Sequence, residues 1–398
     1  MERKMNKPEI RFNEFNIENV SSWKHNKLGD LANIVRGSSP RPIQDKKWFD
    51  TSSSIGWLRI ADVTEQNGRI YHLEQKLSEL GQKKTRVLME PHLLLSIAAT
   101  VGKPVINYVK TGVHDGFLVF LNPKFDREYM FQWLGMYKPK WQKYGQPGSQ
   151  VNLNSELVRN QKINIPDFDE QVKIGEFFKA LDDTIKFHER KYYMTLTVKK
   201  AMLGKMFPQK DSCTPEIRFK EFTGEKGGKW YECNLGDVVE KQVKGKAQLE
   251  KLGVGNTEYL DTSRLNGGKA LKTNANKDVE KDDILILWDG SKAGTVYTGF
   301  SGALGSTLKA YKTKANGQFI YQNLKMNQEN IYNNYRTPNI PHVQKDFLDV
   351  FKIKVPSENE QIKIGEFFKS IDKTIFYQKE KLIQLKNIKN AMLQKMFV

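Results

Sequence analysis

The sequence predicts an α+β chain in which two modules with curved β-sheets alternate with two long helices that pair as an antiparallel coiled coil. Three observations carry this reading. Residues 170–207 recur as 360–397 with 20 identities in 38 ungapped positions, so the two copies share one fixed length. Inside each copy, apolar residues return at three- and four-residue steps: Phe178, Leu181, Ile185, Tyr192, Leu196, Met202 and Met206, then Phe368, Ile371, Ile375, Leu382, Leu385, Met392 and Met396. Between the copies the texture changes to short β-prone runs broken by Gly, Asn, Asp and Pro.

In chain order, the first module opens with Pro8-Glu-Ile-Arg-Phe12, then Trp23 and Leu28-Gly-Asp30. The second repeats these as Pro215-Glu-Ile-Arg-Phe219, Trp230 and Leu235-Gly-Asp237, at an offset of 207 against 190 for the helices, which makes it 17 residues shorter. Strand-like runs include Trp57 to Ala61, Leu93 to Ile97, Phe117 to Leu121, Asp283 to Trp288 and Thr295 to Tyr297, with short helical stretches at Tyr129 to Tyr137 and Phe319 to Asn327. Little aligns between Val35 and Asn164 and its counterpart. Pro166 and Pro356 close the last strand of each module, and Asp167 to Glu170 and Ser357 to Glu360 resemble capping boxes. The domains expected are therefore 1–165, helix 166–207, linker and module 208–355, and helix 356–398.

A helix of about 37 residues is a rod of roughly 55 Å and needs a partner along its apolar seam. The other copy is the natural partner, with Phe178, Leu181 and Ile185 on one helix and Phe368, Ile371 and Ile375 on the other among the pairing positions; two separate helical hairpins within two independent domains are the alternative. Gly175 and Gly365 cost each helix about 1 kcal/mol relative to Ala, which suggests a close backbone crossing or a relic of duplication.

Lys and Arg total 64 against 46 Asp and Glu, a formal charge of +18, which favours a polyanionic partner and first of all double-stranded DNA. The longest apolar run, Leu93 to Ala99, is too short to span a bilayer, and no leader precedes it, so a cytoplasmic location without membrane association is expected. Cys213 and Cys233 lack metal-ligand spacing and read as free thiols.

Turn-rich loops carry the residues that contact duplexes. In the first module these are Arg36, Ser38, Ser39 and Arg41, with Arg59, Thr100, Lys103, Gln146, Gln150 and Asn152. In the second they are Lys244, Lys246, Ser291, Lys292, Arg336, Asn339 and His342. Arg grips guanine and Asn or Gln grips adenine, whereas Lys and Ser mostly hold phosphate. Arg41, Lys103, Lys246 and Lys292 are the leading phosphate or base contacts.

No catalytic or metal residues emerge. GxxxxGK[ST], HExxH, GxSxG and a helix-opening GxGxxG are missing, and the six histidines are scattered. Asp282 and Asp283 read as a turn before a buried strand. The alternatives are a stand-alone nuclease or methyltransferase with an unrecognised site, and a coiled-coil adaptor that does not bind DNA.

The chain resembles the specificity subunits of Type I restriction-modification systems. The carriers are the Pro-x-x-x-Glu-Gln-x-x-Ile-Gly-Glu-Phe-Phe-Lys segments from Pro166 and Pro356, the Met-Leu-x-Lys-Met-Phe segments ending at Phe207 and Phe397, and the Trp-x-x-x-x-Leu-Gly-Asp module starts. The resemblance implies two target recognition domains on a helical spacer and an asymmetric bipartite DNA target with one half-site per module. It implies a non-catalytic role beside two methyltransferase subunits and restriction subunits, with the long helices as the methyltransferase docking surface. No cofactor is then bound by this chain; the complex uses S-adenosylmethionine, ATP and Mg²⁺.

Overall fold

A computed structural model describes residues 7–16, 22–98, 100–144, 153–209, 212–337 and 341–398. The chain divides into one unit of residues 1–188 with 381–398 and a second of residues 189–380. Each holds one module and part of both long helices.

In the first unit a five-stranded sheet runs in the order Asn33–Arg36, Phe117–Leu121, Leu93–Ser96, Pro104–Asn107 and Arg69–Ile70. Its first four strands are antiparallel and its last pairs parallel. Leu93–Ser96 is buried at every position, which explains why the sequence shows a continuous apolar run there and no alternation. A smaller sheet joins Gly56–Trp57, Thr111–Val113 and Arg86–Leu88. The ribbon of Lys24–Lys27 with Lys162–Ile165 brings the two ends of the module together just before the first long helix.

The second unit repeats this plan where the sequences could not be aligned. Its main sheet runs Val239–Lys244, Leu308–Thr313, Ile284–Leu287 and Val296–Tyr297; its smaller one joins Leu271–Thr273, Thr257–Leu260 and Ala303–Leu304; Tyr231–Asn234 pairs with Lys352–Val355. Among the described residues it has no counterpart of the fifth strand, Arg69–Ile70. Asp283, as expected, caps the turn before its buried strand by accepting from Glu280 N at 2.8 Å.

The long helices are Phe168–Met206 and Glu358–Met396. In the first unit Phe178 stacks on Phe397 at 5.8 Å and Asp182 accepts from Lys389, so the two helices run in opposite directions. In the second, Phe207 lies 6.1 Å from Phe368 and Lys199 Nζ is 2.5 Å from Asp372, again antiparallel. Phe178, Ile185 and Phe368 are buried, and Leu181, Ile371 and Ile375 are half-buried. The carboxylates of Glu170 and Glu360, read from the sequence as caps, accept buried bidentate bonds from Arg11 (2.6 and 2.6 Å) and Arg218 (2.8 and 2.6 Å).

The helix glycines mark close crossings. A Cβ on Gly175 would lie 2.6 Å from Asp126 Oδ1 and 2.8 Å from Tyr129 N, and one on Gly365 would lie 2.5 Å from Asn316 Oδ1. Asp126 and Asn316 are the N-caps of helices Arg127–Tyr137 and Gly317–Met326, so each long helix runs over the capped end of its module's own helix.

Candidate nucleic-acid interface

Chain reversals at one end of each main sheet gather most of the residues singled out above. In the first module these reversals are the segment after Asn33–Arg36, the turn before Phe117–Leu121 and the turn between Leu93–Ser96 and Pro104–Asn107. Gly37 N donates to Phe117 O at 2.9 Å and Ser38 N to Val113 O at 3.0 Å, which ties the first segment to the second. A Cβ on Gly37 would sit 2.1 Å from His114 O, so only glycine permits this approach.

Asp115 is the hub of this end. Its Oδ2 accepts from Arg41 Nη2 at 2.6 Å, its Oδ1 from Ser39 Oγ at 2.9 Å, and its main-chain carbonyl from Arg36 Nε at 2.6 Å. Burial opposes its ionisation, but the Ser39 hydroxyl and the Arg41 and Arg36 guanidiniums together hold the carboxyl below the usual aspartate range. Beside it, burial lowers the His114 imidazole from its ordinary value, and His114 Nδ1 accepts from Gly116 N at 2.9 Å, which places the neutral ring against Trp57 and Phe117.

Ser39, Arg41 and Arg59 meet Trp57, His114 and Asp115 around one open cleft of about 270 Å³. Arg59 is not free to swing. It makes bonds of 3.1 and 2.7 Å to Asp62 and reaches Glu74 at 3.3 Å. Thr100 and Lys103 occupy the neighbouring turn, where Gly102 lies against Trp141. Lys103 is half-buried, and that burial with nearby Lys138 lowers its ammonium from the ordinary lysine value. Gln146, Gln150 and Asn152 lie outside the described residues.

The second module uses the same end of its sheet with different side chains. Gly245 N donates to Leu308 O at 2.9 Å and Lys246 N to Leu304 O at 3.1 Å, the same pair of bonds that Gly37 and Ser38 make. A Cβ on Gly245 would be 1.9 Å from Gly305 O. Lys244 and Lys246 are thereby exposed at the strand end. Trp288 to Gly294 forms the adjacent turn, with Ser291 and Lys292 exposed. Arg336 Nη1 donates to Ser291 O at 3.1 Å, and His342 Nδ1 lies 2.9 Å from Thr337 Oγ1, so the third segment closes over the second. Asn339 lies outside the described residues.

Sequence reasoning missed Asp115, His114 and Lys309. The dipeptide Asp115-Gly116 between two apolar runs was a legible hairpin signal, although it gives no hint of the arginines gathered on it. Lys309 carries no such signal. Its Nζ sits 3.1 Å from the centroid of the Trp288 ring, and burial together with Lys244 lowers its ammonium, partly offset by Asp289.

Residues 20–194 and 227–387 match the model of a family described as the type I restriction modification DNA specificity domain. The Type I restriction enzyme MjaVIII specificity subunit of Methanocaldococcus jannaschii is 31% identical over 193 residues, which is 46% of this chain and 45% of that protein. The match thus spans under half the length of that relative. The crystal structure of a type I restriction-modification S subunit from M. genitalium superposes with a TM-score of 0.71 at 15% identity, over 98% of this chain and 99% of the other. A chain from a structure concerned with complex assembly and conformational transition of the type I system gives 0.50 at 15% identity, over 96% and 99%. At that identity the likeness is one of fold. No helix among the described residues is long and apolar enough to cross a membrane.

Proposed function

The chain belongs to the type I restriction-modification DNA specificity family, and from that premise we propose that it reads an asymmetric bipartite DNA target, one half-site per module, for separate catalytic subunits. One observation supports this above others. The same hydrogen-bonded frame presents strand-end cations at the same end of both main sheets, Arg36 and Arg41 in one and Lys244 and Lys246 in the other, while the side chains differ. A shared frame with unlike contacts suits two readers of unlike words. Arg41, Lys103, Lys246 and Lys292 remain the leading contacts, with Arg36, Ser38, Ser39, Arg59, Thr100, Lys244, Ser291, Arg336 and His342 around them.

In this reading the chain binds no cofactor and performs no chemistry. Two methyltransferase subunits using S-adenosylmethionine and restriction subunits using ATP and Mg²⁺ supply it, in the cytoplasm. The docking surface for methyltransferase is the solvent side of the long helices. There the repeat preserves exposed apolar residues at matched positions: Phe187 and Tyr377 (63% and 59% exposed), Tyr193 and Ile383, Val198 and Ile388.

Methylome sequencing of cells carrying the chain with one module exchanged for that of another member of the family is the test. One word of the methylated motif should change and the other persist. Simultaneous change of both words refutes independent readers, and methylation or cleavage by the purified chain alone refutes the non-catalytic role.

A further inference from the structure

At one position the two modules depart from each other in charge. The paired bonds Gly37 N to Phe117 O with Ser38 N to Val113 O, and Gly245 N to Leu308 O with Lys246 N to Leu304 O, set the turns 113–117 and 304–308 in register residue for residue. Asp115 therefore corresponds to Ser306. In the first module the Asp115 carboxylate binds Arg41 and Ser39, and its carbonyl binds Arg36. In the second, Ser306 N donates to Ala247 O at 3.1 Å and its side chain is exposed. No ion pair of Lys244 or Lys246 is formed among the described residues.

We propose that Asp115 is a specificity-determining positioning residue, which restrains Arg41 from binding phosphate indiscriminately and keeps it aimed for a base edge, while Ser306 leaves the second module's lysines available to phosphate. This rests on the DNA-reading function proposed above. A guanidinium has five donors, so Arg41 can retain Asp115 and still donate to guanine O6 and N7. A phosphate approaching the same group meets the Asp115 carboxylate, 37% exposed, and is repelled. A cation already neutralised by a protein carboxylate also releases fewer counterions when DNA binds, so the restraint is visible in the salt dependence.

The experiment measures affinity of the full chain with its methyltransferase subunits for a scrambled-sequence duplex and for the methylome-defined target, across a salt series. Asp115→Asn removes the charge and leaves the main-chain bond to Arg36 in place. It should tighten binding to the scrambled duplex at low salt and steepen the log–log salt slope by about 0.9, the value of one further phosphate contact. Target preference should fall. Ser306→Asp should do the opposite, flattening the slope and weakening binding to the scrambled duplex. Adding Arg41→Ala to Asp115→Asn should return the slope to the wild-type value. A merely structural Asp115 predicts weaker binding to both duplexes with no reversal in the double variant. The inference is overturned by that pattern, by an unchanged slope in Asp115→Asn, or by a steep slope that survives Arg41→Ala. If the wild-type complex itself binds neither duplex in a salt-sensitive way, the DNA-reading function falls with it.

Discussion

At the scale of single residues, the repeated Pro-Glu-Ile-Arg-Phe motif shows how a sequence signal can be visible without its purpose being so. Glu9 pairs with Lys395 at 2.5 Å, Ile10 N donates to Lys395 O at 3.0 Å, and Arg11 reaches Glu170. The second copy repeats all three, with Glu216 to Lys205 at 2.5 Å, Ile217 N to Lys205 O at 2.9 Å, and Arg218 to Glu360. In each unit the motif links the end of one long helix to the start of the other. The partner of Arg11 lies 159 residues away, beyond what any local spacing conveys. Both guanidinium–carboxylate pairs are almost fully enclosed, so removing one partner strands a buried charge. Arg11→Ala and Arg218→Ala should each cost about 3–5 kcal/mol in denaturant unfolding, whereas Lys24→Ala, whose pair with Asp167 is exposed, should cost less than about 1 kcal/mol. Asp182 supplies a pH signature. Burial opposes its ionisation, but Lys389, Arg69 and Gln132 outweigh burial and depress its pKa. A depressed carboxyl stabilises the fold above its unfolded value of about 3.9 and loses that contribution as pH falls through the folded value. Below about pH 4 the wild-type unfolding midpoint should therefore fall more steeply than that of Asp182→Asn, measured as thermal midpoint against pH.

At the scale of elements, the long helices were legible because their period, length and duplication agree, whereas the contacts that set their glycines were not. Gly175 and Gly204 lie on one helix with opposite expectations. Nothing lies within 4 Å of a Cβ on Gly204, so Gly204→Ala should stabilise by roughly 0.5–1 kcal/mol through helix propensity alone. At Gly175 the Cβ meets the capped start of Arg127–Tyr137, where overpacking of about 1–3 kcal/mol outweighs the same gain, so Gly175→Ala should destabilise. Unfolding curves of the two variants decide it by sign. The exposed apolar positions of the same helices make a separate test of docking. Phe187→Asp with Tyr377→Asp should shift stability by no more than about 0.5 kcal/mol because both side chains face solvent, yet should abolish co-purification of the methyltransferase. Retained co-purification removes this surface from consideration.

At the scale of the whole molecule, duplication was plain in the helices and hidden in the modules, for a physical reason. A helix seam constrains side chains at every third or fourth residue, so identity survives there. A sheet requires only apolar residues of suitable volume; Leu93–Ser96 and Ile284–Leu287 hold the same central place with Leu-Leu-Leu-Ser in one and Ile-Leu-Ile-Leu in the other. What remains common at that end of the two main sheets is a glycine, Gly37 or Gly245, with its main-chain bonds, since backbone approach rather than side-chain identity is what that frame demands. Specificity can then diverge in one module without disturbing the other, which has a thermodynamic consequence. Arg41→Ala and Lys244→Ala should each weaken target binding, by about 1–3 kcal/mol where a base contact is lost, or with a salt slope shallower by about 0.9 where a phosphate contact is lost. Because the two residues belong to different units with no partner in common, the double variant should equal the sum of the singles within about 0.5 kcal/mol. Binding titrations on a target altered in one word at a time sharpen the same point: Arg41→Ala should be insensitive to changes in the word read by the second module, and Lys244→Ala to changes in the other. Strong coupling between the two substitutions means that one composite surface reads the DNA, and the division of the target into two independently read words is then wrong.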